Sequence, residues 1–109
     1  MTCEQWDVIV VPFPFVERAG HKKRPALVVS KAAFNHHGHS ILAMITSGAH
    51  QPWPGDTPVT QLKTAGLHQH CLVRLKLFTL DNRLILKAIG RLAPSDRNAV
   101  EKNIETFLI

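Results

Sequence analysis

The stretch "HKKRPALVVS", residues 21–30, joins a cluster of cations directly to an apolar run of branched side chains. The run from Pro25 to Ser30 predicts a buried β-strand, because branched apolar side chains favour extended, packed backbone. A charge does not enter a core without a partner, so Arg24 is expected at the edge of the fold. Two interpretations of the cluster stay open: a solvated basic loop, or a site that holds an anion such as a phosphate.

Apolar runs that predict β-strands also occur before and after this stretch. Further strands are predicted at residues 7–11, 41–47, 71–78 and 83–92. Pro12 and Pro14 are expected to end the first of them, since proline cannot donate to a strand ladder. Gly90 predicts a bulge or bend in the last one. The stretches at 34–40 and 48–58, which contain Gly and Pro, predict a turn and a long loop.

In the C-terminal segment the apolar residues are spaced differently from those of the predicted strands. Apolar residues recur there at helical spacing, at Val100, Ile104, Phe107 and Leu108. This spacing predicts an amphipathic helix, and "APSDR" at 93–97 supplies a proline and capping residues at its start. Several short strands and one closing helix predict a mainly β fold, a small barrel or strongly bent sheet, in a single domain covering residues 1–109.

Composition limits the functional classes. The chain has 109 residues, 45% of them hydrophobic, which is enough for the core of one domain. Its formal net charge of +5 suits an anionic partner, which could be RNA, DNA or an acidic protein tail. Neither a signal peptide nor a membrane-spanning run is recognisable. Cys3 and Cys71 are too few for a disulfide framework, so a cytoplasmic location is expected.

Arg24 is the leading candidate for binding an anion, because a guanidinium stays charged and offers a planar fork of donors to phosphate oxygens. Lys22 and Lys23 would add attraction along a nucleic-acid backbone. Thr46 and Ser47 end the third predicted strand, where a hydroxyl could bind a phosphate or help to place a reacting 2′-OH. An ordinary strand-end turn explains the same two residues, and spacing alone favours that simpler interpretation.

Three other side chains suit RNA binding. Trp53 stands between two prolines, and predicts either a platform for base stacking or a lid on the barrel. Arg74 and Lys76 are expected to share one face of their strand, opposite Val73, Leu75 and Leu77. There they would either extend a basic groove or form an ordinary polar outer face.

Histidines cluster at residues 36–39 and at 68–70. Imidazoles bind transition metals and serve as acids and bases. Neither cluster has a known metal-ligand spacing and no Cys-X-X-Cys accompanies them, so no metal is expected. Surface loop histidines, with stacking on RNA bases as an option, are the preferred interpretation.

The order of these motifs resembles the PemK/MazF family, the toxins of type II toxin–antitoxin pairs. The matching stretches are "DVIVVPFPF" at 7–15, "KKRPALVVS" at 22–30, "ILAMITS" at 41–47 and "VRLKLFTLD" at 73–81. The resemblance implies a compact SH3-like barrel, usually a homodimer. It also implies a metal-independent endoribonuclease, without a cofactor, that cuts single-stranded RNA, often mRNA, at short sequences. The functional arginine of the family falls on Arg24, and its hydroxyl residue falls on Thr46 with Ser47 beside it.

The implied chemistry suits these residue types. RNA carries its own nucleophile, the 2′-OH, so the enzyme must align it, move protons and stabilise charge on the phosphorane. Arg24 would neutralise that charge and Thr46 would orient the phosphate or the 2′-OH, giving a 2′,3′-cyclic phosphate and a 5′-hydroxyl. The base stays unassigned, with His21 as a candidate, because Glu17 stands seven residues before Arg24. Trp6 also departs from the family, which commonly has glycine there.

Two other functions stay open on the same barrel. One is a non-enzymatic toxin of the CcdB type, which inhibits DNA gyrase through a protein contact. The other is a module that binds RNA and leaves the strand intact. For the toxin, the resemblance implies an acidic, partly disordered antitoxin that folds across the basic groove. DNA is expected to be contacted only through the antitoxin complex, and no membrane partner is expected.

Overall fold

Six antiparallel strands form one sheet that curls into a half-barrel, with a helix at the C-terminus. The computed structural model describes residues 1–13, 22–48 and 51–109. The strands are β1 (Asp7–Phe13), β2 (Lys22–Val28), β3 (His39–Thr46), β4 (Thr57–Pro58), β5 (Leu72–Asp81) and β6 (Lys87–Arg91), in the spatial order β4-β5-β3-β2-β1-β6. Helix α1 spans Ala32–Asn35, a 3-10 turn spans Asn82–Leu84, and helix α2 spans Pro94–Phe107. The predicted mainly β, barrel-like fold with a C-terminal helix is confirmed.

The central strands are apolar on both faces because the sheet is covered on both faces. Val8 packs in one core cluster with Leu27 and with Val100 of α2. Its neighbours Ile9 and Val11 pack in a second cluster. Successive side chains of a strand point to opposite faces, so a strand buried on both sides requires an uninterrupted apolar run. The run at the start of β1 therefore reflects a strand near the middle of the sheet.

The basic cluster lies within a strand, and this differs from the prediction. β2 begins at Lys22, and its first three residues pair with Phe13, Pro12 and Val11 of β1. Pro12 is tolerated inside β1 because β6 pairs with β1 only as far as Val10. Beyond that residue the strand has a single neighbour, so the missing N–H of proline breaks no ladder.

Bulges change two of the expected side-chain patterns. In β5 the register shifts so that Arg74 pairs with Met44 while Leu77 pairs with Ala43. The expected alternation is therefore broken: Arg74 is buried and Leu77 is 42% exposed. In β6 the partners of Val8 and Ile9 are Gly90 and Ala88. That irregularity confirms the bulge predicted at Gly90.

Helix α2 begins as predicted with Pro94 in its first turn, but Ala93 occupies the N-cap position without a side-chain cap. Asp96, one of the expected capping residues, instead accepts hydrogen bonds from the backbone N–H groups of Thr60 and Gln61. Val100 is fully buried, whereas Phe107 and Leu108 at the helix end are about half exposed. The predicted apolar face is therefore buried in the middle of the helix and exposed at its end.

Trp6 adopts a left-handed backbone with φ of 74°. This conformation costs a residue with a Cβ about 1–3 kcal/mol, and glycine adopts it freely. In the same turn Trp6 donates its backbone N–H to the carbonyl oxygen of Val28, and its own carbonyl oxygen accepts from the N–H of Leu92.

The two cysteines lie apart in the core. Cys3 belongs to the second cluster and Cys71 to the first, and both are free thiols. Burial raises the pKa of each thiol above its ordinary value. In the described parts of the chain, none of the helices has the length and apolar character needed to cross a bilayer.

Candidate active site

A cavity of about 330 Å³ lies where β2 begins and β3 ends. Its lining residues are Val10, Lys23, Arg24, Pro25, Ile45, Thr46, Ser47, Gly66, Leu67, His68, Gln69, His70, Cys71 and Ile89. Arg24, Thr46 and Ser47, the three residues predicted to be catalytic, all line it, and so does Lys23. We refer to this space as the arginine cavity.

Antiparallel pairing explains why these residues meet. Ala26 of β2 pairs with Met44 of β3. Continuing that register by two residues places Arg24 level with Thr46, since pairing positions advance in opposite directions along antiparallel strands. Residues far apart in sequence thus meet at one end of the sheet.

The arginine cavity is basic. Its charged lining residues are Lys23 and Arg24, and no Asp or Glu appears among the described residues that line it. The guanidinium carbon of Arg24 lies 5.9 Å from the centre of the Phe13 ring, a cation–π contact that orients the side chain. Within residues 1–13, 22–48 and 51–109, the ion pairs of the structure do not include Arg24.

One wall of the cavity is the segment from Gly66 to Cys71, which leads into β5. It adds His68 and His70, both exposed at the cavity. The sequence identified these histidines only as a loop cluster. Their position directly before a strand that pairs with β3 was the signal that could have brought them into the site.

Close backbone contact fixes this wall. Gly66 has φ of +73°, and a Cβ there would lie 2.1 Å from the carbonyl oxygen of Ile89. From the other side, a Cβ on Gly90 would lie 2.4 Å from the carbonyl carbon of Ala65. The two segments can touch only because glycine stands on both sides.

Asp96 holds the part of the chain that precedes this wall, at Thr60 and Gln61. Its carboxylate, on a residue only 3% exposed, accepts hydrogen bonds from the backbone N–H groups of Thr60 and Gln61 at 3.0 Å each. It also accepts one from the Thr60 hydroxyl at 2.6 Å. The start of α2 therefore holds the segment that leads to the cavity.

We expect Asp96→Ala to lower the free energy of unfolding by about 3 kcal/mol, because two backbone donors lose their acceptor. Urea denaturation followed by circular dichroism measures the loss. Ser95→Ala, an exposed neighbour in the same helical turn, is the matched control. A loss no larger than that of the control would contradict the assigned role of Asp96.

Four of the described residues predicted to bind RNA do not line the arginine cavity: Lys22, Trp53, Arg74 and Lys76. Arg74 is buried, and its Nε and one terminal nitrogen donate to Asp56 at 3.1 and 2.9 Å. The same terminal nitrogen donates to the carbonyl oxygen of Gln51. The hydrogen bond with Arg74 holds the pKa of the Asp56 carboxyl below its ordinary value. Arg74 thus stabilises the 51–58 loop, which the sequence did not predict.

Trp53 of that loop forms a separate pair with Lys76 of β5. The Lys76 ammonium lies 4.5 Å from the centre of the Trp53 ring, and the indole N–H donates to the carbonyl oxygen of Leu75 at 3.3 Å. Trp53 remains 40% exposed. The ring is therefore attached to the surface of the sheet and keeps part of its area accessible.

His21, the candidate for the base, and Glu17 both fall outside the described residues. Within residues 1–13, 22–48 and 51–109, no three His, Cys, Asp or Glu side chains converge as a metal site requires. The chemistry available at the arginine cavity is that of cations, hydroxyls and imidazoles.

Fold and cavity together define a small β-barrel-like protein with a basic, hydroxyl-lined pocket. The family model of the PemK-like, MazF-like toxins of type II toxin–antitoxin systems matches residues 4–108. The chain belongs to this family of toxins. A comparison with curated protein sequences found no significant match.

Solved structures of similar fold agree with this assignment. A MazF in a MazE–MazF complex from Deinococcus radiodurans superposes with a TM-score of 0.77 at 20% identity, covering 99% of this chain and 97% of that one. An endoribonuclease bound to its cognate antitoxin, from a mycobacterial species, gives 0.73 at 17% identity, with 96% and 91% covered. The toxin MazF-mt6 of Mycobacterium tuberculosis gives 0.73 at 20% identity, with 92% and 93% covered. At these identities the likeness establishes the fold.

Proposed function

We propose that this toxin is a metal-independent endoribonuclease that cuts single-stranded RNA at short sequences. The observation that carries the proposal is that Arg24, Thr46 and Ser47 line one basic cavity. Membership of the toxin family supports it, as does the structural likeness to a mycobacterial protein described as an endoribonuclease.

The proposed reaction uses the nucleophile of the RNA itself. The 2′-oxygen attacks the adjacent phosphorus, the bond to the 5′-oxygen breaks, and the products carry a 2′,3′-cyclic phosphate and a 5′-hydroxyl. Arg24 binds the non-bridging oxygens and stabilises their growing charge. Thr46 and Ser47 orient the scissile phosphate or the attacking 2′-OH.

The RNA strand would extend beyond the cavity along basic and aromatic side chains. Lys22 and Lys23, exposed at the start of β2, would bind flanking phosphates, with His21 just before them. Trp53 keeps an exposed face for stacking, with Lys76 beside it. Arg74 is hydrogen-bonded to Asp56, so it would hold the loop that carries Trp53 in place and would not contact the RNA itself.

The same basic surface suits an antitoxin. An acidic segment that folds over Arg24 and Lys23 would exclude RNA from the cavity. Two of the similar structures are toxin–antitoxin complexes. A homodimer and DNA contact through the antitoxin complex are further proposals that follow from the family.

Cleavage of a long single-stranded RNA in EDTA tests the proposed function. The wild-type protein is compared with an Arg24→Ala, Thr46→Ala double variant, and the 5′ ends of all fragments are mapped. We expect cuts at a short recurring sequence, made by the wild type and not by the double variant. Intact RNA after incubation with folded wild-type protein would contradict the proposal, and inhibition of DNA supercoiling would then indicate a gyrase inhibitor.

A further inference from the structure

The arginine cavity contains two histidines to which neither the family resemblance nor the sequence assigned a catalytic role. His68 and His70 line it together with Arg24 and Thr46. Both are exposed, so neither is needed to fill the core. They lie in a segment whose backbone is fixed at Gly66 by its contact with Ile89 of β6. A phosphate bound in the arginine cavity would therefore have two imidazoles in the same lining.

The proposed reaction requires a base for the 2′-OH and an acid for the 5′-oxygen. Among the described lining residues no carboxylate is present to act as the base. A guanidinium keeps its proton at neutral pH, so Arg24 is a poor acid. Cys71 is buried with a raised thiol pKa, which disfavours its thiolate. Lys23, the remaining charged group, is an ammonium that serves better to hold phosphate.

We propose that His68 and His70 are the acid–base pair of this ribonuclease. One imidazole, neutral, takes the proton from the 2′-OH as the bond from that oxygen to phosphorus forms. The other, protonated, gives its proton to the 5′-oxygen as the bond from phosphorus to that oxygen breaks. Imidazole suits both tasks because its protonation changes between about pH 5 and 8. The inference deepens the proposed function and rests on it.

The first test is single-turnover cleavage by the full chain across the neutral pH range. The variants are His68→Asn, His70→Asn and the double variant. We expect each single variant to lose about 10²- to 10⁴-fold in rate, with unchanged RNA affinity by filter binding. The wild type should show a bell-shaped pH profile, and each variant should lose one limb of it. Lys23, Arg24 and Cys71, the other titratable groups among the described lining residues, are unchanged in all variants.

His37→Asn is the matched control. His37 is equally exposed but precedes β3, whereas the cavity lies where β3 ends. We expect it to cleave like the wild type. Circular dichroism of all variants checks that each is folded.

A modified substrate separates the two roles. RNA with sulfur in place of the 5′-bridging oxygen has a leaving group that needs no proton. We expect this substrate to restore the rate of the variant that lacks the acid, and not of the variant that lacks the base.

The outcomes distinguish a failure of the acid–base pair from a failure of the proposed ribonuclease function. If the wild type cuts RNA, Arg24→Ala does not, and both histidine variants keep the wild-type rate and pH profile, the acid–base pair is wrong and the ribonuclease stands. A loss at only one histidine would also overturn the pair. If folded wild-type protein leaves RNA intact, both the function and the pair fail.

Discussion

Arg24→Ala is expected to reduce the rate of RNA cleavage by about 10³-fold, because a preorganised donor at the developing charge is worth about that much. The free energy of unfolding should change by less than about 1 kcal/mol, since the side chain is exposed and a cation–π contact with Phe13 contributes about that much at an exposed site. Single-turnover cleavage and urea denaturation measure the two effects separately. A large loss of activity without a loss of stability is the signature of a residue that acts on the substrate.

Two further variants make the Arg24 experiment specific. Arg24→Lys keeps the charge but loses the planar fork, so we expect a rate between those of the alanine variant and the wild type. Arg83→Ala removes an exposed arginine paired with Asp81, on the turn after β5 and outside the cavity. It should cleave normally. Wild-type activity in Arg24→Ala would remove Arg24 from the mechanism.

Gly66→Ala is expected to lower the free energy of unfolding by about 4 kcal/mol. The left-handed backbone at this position costs alanine about 1–3 kcal/mol. The new methyl group would also meet the Ile89 carbonyl oxygen at 2.1 Å, which forces the backbones apart at an overpacking cost of about 1–3 kcal/mol. The wall that carries His68 and His70 must then move, so cleavage should fall with stability. Thermal melting and RNA cleavage measure both losses.

Gly38→Ala is the matched control for this variant. Gly38 also has a positive φ, +104°, but nothing lies within 4 Å of the position a Cβ would take. Its loss should be limited to the backbone strain, about 1–3 kcal/mol, and its cleavage should be normal. Equal losses in the two variants would show that the contact between Gly66 and Ile89 is not tight.

Local pattern predicted the parts of the site that lie on strands. The apolar runs that became β1, β2 and β3 are readable because each residue's preference for extended backbone depends mainly on itself and its neighbours. Arg24 and Thr46 could be connected through the resemblance to a toxin family, and the register of β2 on β3 accounts for their proximity.

The parts of the site that depend on loops could not be predicted in the same way. Strand alternation predicts Arg74 beside Lys76, in a basic groove or on a polar outer face, but a bulge in β5 and the carboxylate of Asp56 bury it as an ion pair. His68 and His70 were grouped with the other loop histidines, because nothing in their spacing shows which strand end they face.

The sequence by itself determined where most of the strands and the closing helix lie, and that the chain is basic, but it predicted a loop at β4 and a strand over most of the 3-10 turn Asn82–Leu84. These properties follow from side-chain period, proline and glycine positions and net charge, which are local or additive. Only the tertiary structure decided that Arg74 is paired with a carboxylate and that His68 and His70 line the arginine cavity. Both properties depend on the register, bulges and glycine contacts between segments far apart in the chain. They therefore arise only when the sheet has curled.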